Sequence, residues 1–94
     1  MDINYELYKV FYYVASTLSF SEASKQLFIS QSAVSQSIKA LEKKLDQTLF
    51  IRSTKKVRLT TEGEILLRHI EPAISLIKRG ESQLLDVGAR GGQL

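Results

Sequence analysis

Within the stretch SQSAVSQS, residues Ser30, Gln31, Ser32, Ser35 and Gln36 concentrate hydroxyl and amide groups where an ordinary surface helix would carry Glu and Lys. Each of these side chains both donates and accepts hydrogen bonds without carrying charge. That chemistry suits the edges of bases and the oxygens of phosphates, where an acidic group would be repelled. Ser32, Gln36, Lys39 and Lys43 recur at steps of four and three, so they share one face of a helix. Ser35 lies on the flank of that face, and Gln31 sits in its first turn. The alternative reading of the same residues is an ordinary solvated helix face.

Charge is distributed to match. Residues 31–60 hold Lys39, Lys43, Lys44, Arg52, Lys55, Lys56 and Arg58 against only Glu42 and Asp46, while the whole chain has a formal net charge of +3. A basic middle flanked by slightly acidic ends is the electrostatic footprint of a nucleic-acid binder, although charge alone also describes a solvated surface.

The elements that must position these residues follow from periodicity. Ile3, Leu7, Val10, Phe11, Val14, Ala15 and Leu18 predict a first helix over about 4–18, capped by Asp2 or Asn4. Tyr5, Tyr8 and Tyr12 form a second stripe, read as core packing or as a contact with a partner's long helix. Ser19 with Glu22 has the form of a capping box, with Ser21 as a rival cap, for a short second helix to about Leu27 that turns Ala23 and Leu27 inward. Phe28 and Ile29 fall in a tight connection and are expected to plug the core. Ser30 then caps a third helix through Leu45. Its apolar residues Val34, Ile38, Leu41 and Leu45 lie within about 60° of one another on a helical wheel. They face away from the polar set.

After Asp46 the period changes to short β-type runs, LFIR and VRL, joined by Ser53-Thr54-Lys55-Lys56 as a hairpin whose turn lacks Gly or Asn. Thr60 or Thr61 caps a last helix, Thr61 with Glu64 again having capping-box form. Leu66, Ile70, Ala73, Ile77, Gly80, Leu84 and Val87 then alternate by four and three, an a/d seam with one glycine slot. A helix of this length projects beyond so small a domain and asks for a partner. Pro72 removes a hydrogen bond to Arg68 and is expected to kink it. The terminal GARGGQL reads as a linker.

Two helices joined by a tight turn and followed by a basic hairpin make a mainly α fold, a winged helix-turn-helix with a long linker helix behind it. In such a fold the second helix of the pair enters the DNA major groove. Lys39 and Lys43 then suit the backbone across the groove, and Arg52, Lys55, Lys56 and Arg58 charge the wing. The expected organisation is a DNA-binding domain over 1–60, a dimerisation helix over 61–87 and a hinge over 88–94.

The segments SFSEASKQLFISQSAVSQSIKALEKKL, LFIR and LTTEG resemble the N-terminal domain of LysR-type transcriptional regulators, over roughly residues 5–90. The family pattern Ser-Gln-x-Ala-x-Ser falls on Ser30–Ser35, Ile-x-x-Leu-Glu on Ile38–Glu42, Leu-Phe-x-Arg on Leu49–Arg52 and Leu-Thr-x-x-Gly on Leu59–Gly63. The resemblance implies DNA contacts from Gln31, Ser32, Ser35 and Gln36, and from Arg52 with Lys55 on backbone or minor groove. For Arg52 a salt bridge to Glu42 or Asp46 is an alternative. It further implies a bacterial, cytoplasmic regulator acting as a homodimer on an inverted-repeat operator of double-stranded DNA, paired through Leu66, Ile70, Ala73, Ile77 and Leu84. A tetramer is implied for the full-length protein, with a small-molecule effector bound by a domain beyond the hinge. The chain departs from the pattern at Ser32, where proline is common, and at Gln36, where arginine is frequent. It also departs at Ser24 and Glu62, where alanine is usual, at Tyr8, where leucine is, and at Pro72 in the linker helix.

Other functions find less support. The chain has no cysteine and a single histidine, His69, with no convergent acid, base and nucleophile, so no catalytic residue, metal site or cofactor is expected. No apolar run approaches the about 18 residues that span a bilayer. A self-contained repressor with effector at its dimer interface, and a helical protein-interaction module, are the rival readings.

Overall fold

The computed structural model describes residues 3–89. Along the chain run α1 (Tyr5–Thr17), α2 (Phe20–Leu27), α3 (Gln31–Leu45), β1 (Phe50–Arg52), β2 (Val57–Leu59) and α4 (Thr61–Ala89). Side chains close the helix starts, satisfying N–H groups that have no intrahelical acceptor. Asn4 Oδ1 accepts from Glu6 N at 3.1 Å, Ser19 Oγ from Glu22 N at 3.0 Å and Ser30 Oγ from Ala33 N at 3.0 Å. Thr60, rather than Thr61, caps α4, accepting from Gly63 N at 2.9 Å while its hydroxyl donates to Thr48 O at 2.6 Å. Asp2, the other cap expected for α1, lies outside the described residues.

Helices α1 to α3 pack around one core of Val10, Phe11, Val14, Ala15, Phe20, Ala23, Val34, Ile38 and Leu41, completed by Leu49 and Phe50 from the start of the hairpin. Phe11 and Phe20 both meet the Phe50 ring, at centroid distances of 5.4 and 6.0 Å. The apolar stripe of α3 is therefore anchored, and its opposite face is left to solvent.

Four apolar residues expected on the core side are exposed, for a local reason at the helix ends and a positional one before α1. α1, α2 and α3 end on Leu18, Phe28 and Asp46, all with positive φ of 52°, 58° and 54°. A left-handed residue turns its Cβ off the helical stripe. Leu18 is therefore 45% exposed, and Phe28, expected in the core, is 93% exposed. Ile29, also expected to plug the core, is exposed as well; backbone bonds close this turn, from Phe28 N to Lys25 O and from Ile29 N to Ser24 O. Ile3 precedes α1 and is likewise exposed.

β1 and β2 pair antiparallel with Phe50 opposite Leu59, Ile51 opposite Arg58 and Arg52 opposite Val57. Alternation puts Phe50 and Arg52 on one face of this ribbon and Ile51 on the other. Ser53 closes the four-residue turn in place of Gly or Asn: its N–H and hydroxyl both donate to Lys56 O, and its Oγ accepts from Lys56 N. Gly63 lies against this hairpin, where a Cβ would press into the Leu49 carbonyl oxygen and stand 2.8 Å from Leu59 Cδ2.

α4 continues on both sides of Pro72, whose ring is exposed, and runs through Gly88 and Ala89. Residues 90–94, the rest of the expected hinge, lie outside the described residues. Leu66, Leu67 and Ile70 pack against the core.

Candidate nucleic-acid interface

Gln31, Ser32, Ser35, Gln36 and Lys39 come together on the N-terminal half of α3, where they line a shallow depression of about 490 Å3. All but the half-buried Ser35 are exposed. No acidic residue stands in the first turn of α3, and the positive end of its dipole points the same way. Ser30 stands apart from this group in role, because its hydroxyl oxygen is spent on the helix cap.

Arg52 joins the wing to this surface. Its Nη2 donates to Ser35 Oγ at 3.2 Å, and its guanidinium carbon lies 3.6 Å from the centroid of the Phe20 ring. Among the described residues no ion pair joins Arg52 to Glu42 or Asp46, the alternatives for it; Glu42 Oε2 instead accepts from Leu49 N at 2.7 Å and from Phe50 N at 3.4 Å. Glu42 thereby ties the end of α3 to the start of the wing and sets where Arg52 falls. Sequence reasoning gave Glu42 only the part of an alternative salt-bridge partner for Arg52, and gave the phenylalanine of SFSE no task beyond its place in a motif. The signal for Glu42 was a carboxylate flanking an apolar stripe just before a strand.

Lys55 and Lys56 are exposed at the wing tip. Lys56 also borders a smaller hollow of about 190 Å3 with Ile51, Ser53 and Arg58, on the face of the ribbon away from Arg52. The cations Lys39, Arg52, Lys55, Lys56 and Arg58 therefore do not make one patch: Lys39 and Arg52 border the polar face of α3, Lys55 and Lys56 stand at the wing tip, and Arg58 lies on the reverse side.

Of the seam residues, Leu66 and Ile70 are half-buried against their own core, whereas Ala73, Ile77 and Leu84 are exposed, Ile77 to 57% and Leu84 to 74%. Leu76 and Leu85 are exposed beside them. In the tyrosine stripe, Tyr8 packs on the core with Lys44 Nζ 5.8 Å from its ring, Tyr12 lies 5.8 Å from Lys78 Nζ of α4, and Tyr5 is exposed. No helix among the described residues is long and apolar enough to cross a membrane.

Comparison with known proteins fits this geometry. The crystal structure of the BenM DNA-binding domain with catB site 1 DNA superposes with a TM-score of 0.81 over 92% of this chain and 96% of that one, at 24% identity, a likeness of fold. OxyR of Corynebacterium glutamicum, in a hydrogen-peroxide-bound mutant form, gives a TM-score of 0.77 at 33% identity over 99% of this chain and 28% of its own. In sequence, the chain is 42% identical over 74 residues to the HTH-type transcriptional regulator PerR of Escherichia coli, covering 79% of this chain and 25% of PerR. It is also 42% identical over 94 residues to the uncharacterized regulator YfeR of Shigella flexneri, covering 98% of this chain and 30% of that protein. The chain thus spans between about a quarter and a third of the length of these relatives. The model of the bacterial regulatory helix-turn-helix proteins of the lysR family matches residues 5–64, from the start of α1 into α4, and on that match the chain belongs to the LysR family.

Proposed function

We propose that this chain is the sequence-specific double-stranded DNA-binding part of a transcription regulator. α3 lies in the major groove, with Gln31, Ser32, Ser35 and Gln36 against base edges and Lys39 on a phosphate beyond them. Arg52, Lys55 and Lys56 of the wing contact backbone or the neighbouring minor groove. The observation that carries the reading is the bond from Arg52 to Ser35, which joins the wing and the uncharged polar face of α3 into one continuous surface. DNA complexes among the structural relatives support it, BenM with catB site 1 DNA and CbnR with its DNA.

The assembly proposed is a homodimer paired through the exposed part of α4, with Ala73, Ile77 and Leu84 on the seam, bound to an inverted-repeat operator. Full-length relatives extend well beyond the matched region, and a relative named LysG is described with its effector Arg bound. A small-molecule effector domain and a tetramer are proposed for the whole protein on the same footing. A mobility-shift titration against genomic fragments at two salt concentrations tests the reading. Specific complexes that survive competitor and weaken steeply with salt are expected. Absence of any salt-sensitive complex would leave α4 pairing as the module's only task.

A further inference from the structure

The placement of Arg52 over Phe20 has a purpose that the DNA-binding reading does not by itself supply. Phe20 is the first residue of α2 and is 6% exposed, its ring packed against that of Phe50 at an interplanar angle of 72°. Its position is set by the core and not by Arg52. The guanidinium, on an otherwise exposed side chain, sits over the ring at 3.6 Å, a separation that only approach to the ring face allows. One of its N–H groups is bound to Ser35 Oγ. An exposed arginine ordinarily samples many rotamers and loses that freedom when it grips a ligand. Here a rigid aromatic face on α2 and a hydroxyl on α3 hold it in place beforehand. The same bond occupies an acceptor site of the Ser35 hydroxyl with a cationic donor, which leaves its proton to be given outward.

We propose that Phe20 is a positioning residue for DNA recognition: it presets Arg52 for a phosphate, and Arg52 in turn turns Ser35 into a hydrogen-bond donor toward the groove. The acceptor Ser35 meets is then a phosphate oxygen, a purine N7, a guanine O6 or a thymine O4, and not an exocyclic amine. Phe20 itself touches no DNA. This inference rests on the reading of the Arg52 surface as a DNA contact.

The test is a double-mutant cycle on Phe20→Leu and Arg52→Ala, using the 94-residue chain and a duplex recovered from a randomised pool by selection on that chain. Leucine keeps an apolar side chain in the core but offers no ring face. Phe20→Leu is expected to weaken binding about three- to tenfold in the wild-type background and less than about twofold beside Arg52→Ala, the coupling expected of contacting residues. In the free protein the Arg52 side-chain protons, shifted upfield by the ring, should move downfield in Phe20→Leu. Equal losses in both backgrounds, or an unchanged Arg52 spectrum, overturn the proposal. Should Phe20→Leu not fold, Arg52→Lys carries the test: it keeps the charge without the planar fork and is expected to lose most of what Arg52→Ala loses. Wild-type affinity in Arg52→Lys overturns the proposal. Wild-type affinity in Arg52→Ala instead removes Arg52 from the DNA surface, and that outcome rejects the reading beneath it.

Discussion

Gln31 and Glu42 sit on the same helix and do opposite kinds of work. Gln31 is exposed in the first turn of α3, on the lip of the polar depression. Nothing in the core depends on it, so its substitution tests recognition alone. Gln31→Ala is expected to cost about 1–3 kcal/mol on a selected duplex and little on random DNA. Equal loss on both would make it a phosphate contact. Glu42, about three turns further along α3, bonds two backbone N–H groups at the start of the hairpin. A hydrogen bond to a charged group is worth about 1.5–3 kcal/mol, and its removal strands donors that are partly shielded from water. Glu42→Ala is therefore expected to lower unfolding free energy by about that amount in a urea titration. Its effect on DNA affinity would arise through a displaced wing. A midpoint equal to wild type would show that the carboxylate does not hold the hairpin. The polar face of α3 was legible because its alternation with Val34, Ile38 and Leu41 leaves one orientation for the helix. The Arg52–Ser35 and Arg52–Phe20 contacts were not, because residues separated by 17 and 32 positions meet only once the hairpin has been folded back.

The elements were readable where periodicity ran long and misread at their ends. Asn4, Ser19 and Ser30 cap the three helices of the domain as their side-chain types predict. C-caps gave no such signal, since none of the left-handed residues is glycine. Phe28 shows the energetic consequence. A non-glycine residue in that region carries a backbone cost of about 1–2 kcal/mol, and an exposed ring recovers almost none of it by burial. Phe28→Gly is thus expected to raise stability, by up to about 1 kcal/mol once the greater freedom of glycine in the unfolded chain is counted. A lower melting temperature in calorimetry would mean that the ring contributes packing in solution. The wing makes a separate prediction. Lys55 and Lys56 stand in a turn closed by Ser53, so replacing either leaves the hairpin intact. If each meets a phosphate, alanine at either position should flatten the slope of log K against log salt by about one. The hollow beside Lys56 lies on the reverse side of the ribbon, so an unchanged slope for Lys56 with a changed one for Lys55 would place the DNA on the Arg52 face only.

At the scale of the whole molecule, α4 divides at Pro72. Before it, Leu66, Leu67 and Ile70 close the domain; after it, the seam residues Ile77 and Leu84 are exposed, with Leu76 and Leu85 exposed beside them. With 29 residues the helix is about 43 Å long, and the described chain measures 52 Å along its greatest extent. The helix thus projects past the three-helix core, and nothing among the described residues covers Leu76, Leu84 and Leu85. Burying them against a second copy is the proposed solution, with Gly80 allowing backbones to approach where a side chain is missing. This division decides which substitutions are informative. Ile70→Asp would place a charge against the domain's own core, confusing unfolding with dissociation. Ile77→Asp and Leu84→Asp alter exposed positions and should leave the winged helix folded, as judged by an unchanged melting profile of its aromatic signals. Each is expected to shift the molecular mass at tens of micromolar from dimer toward monomer in light scattering. Binding to an inverted-repeat duplex should weaken with it, because two recognition helices held about one helical turn apart bind as one unit only while they are linked. Binding to a single half-site should not change. A chain that is monomeric on its DNA, and fills one half-site as tightly as two, would refute the pairing of α4 while leaving the groove-facing surface of α3 intact.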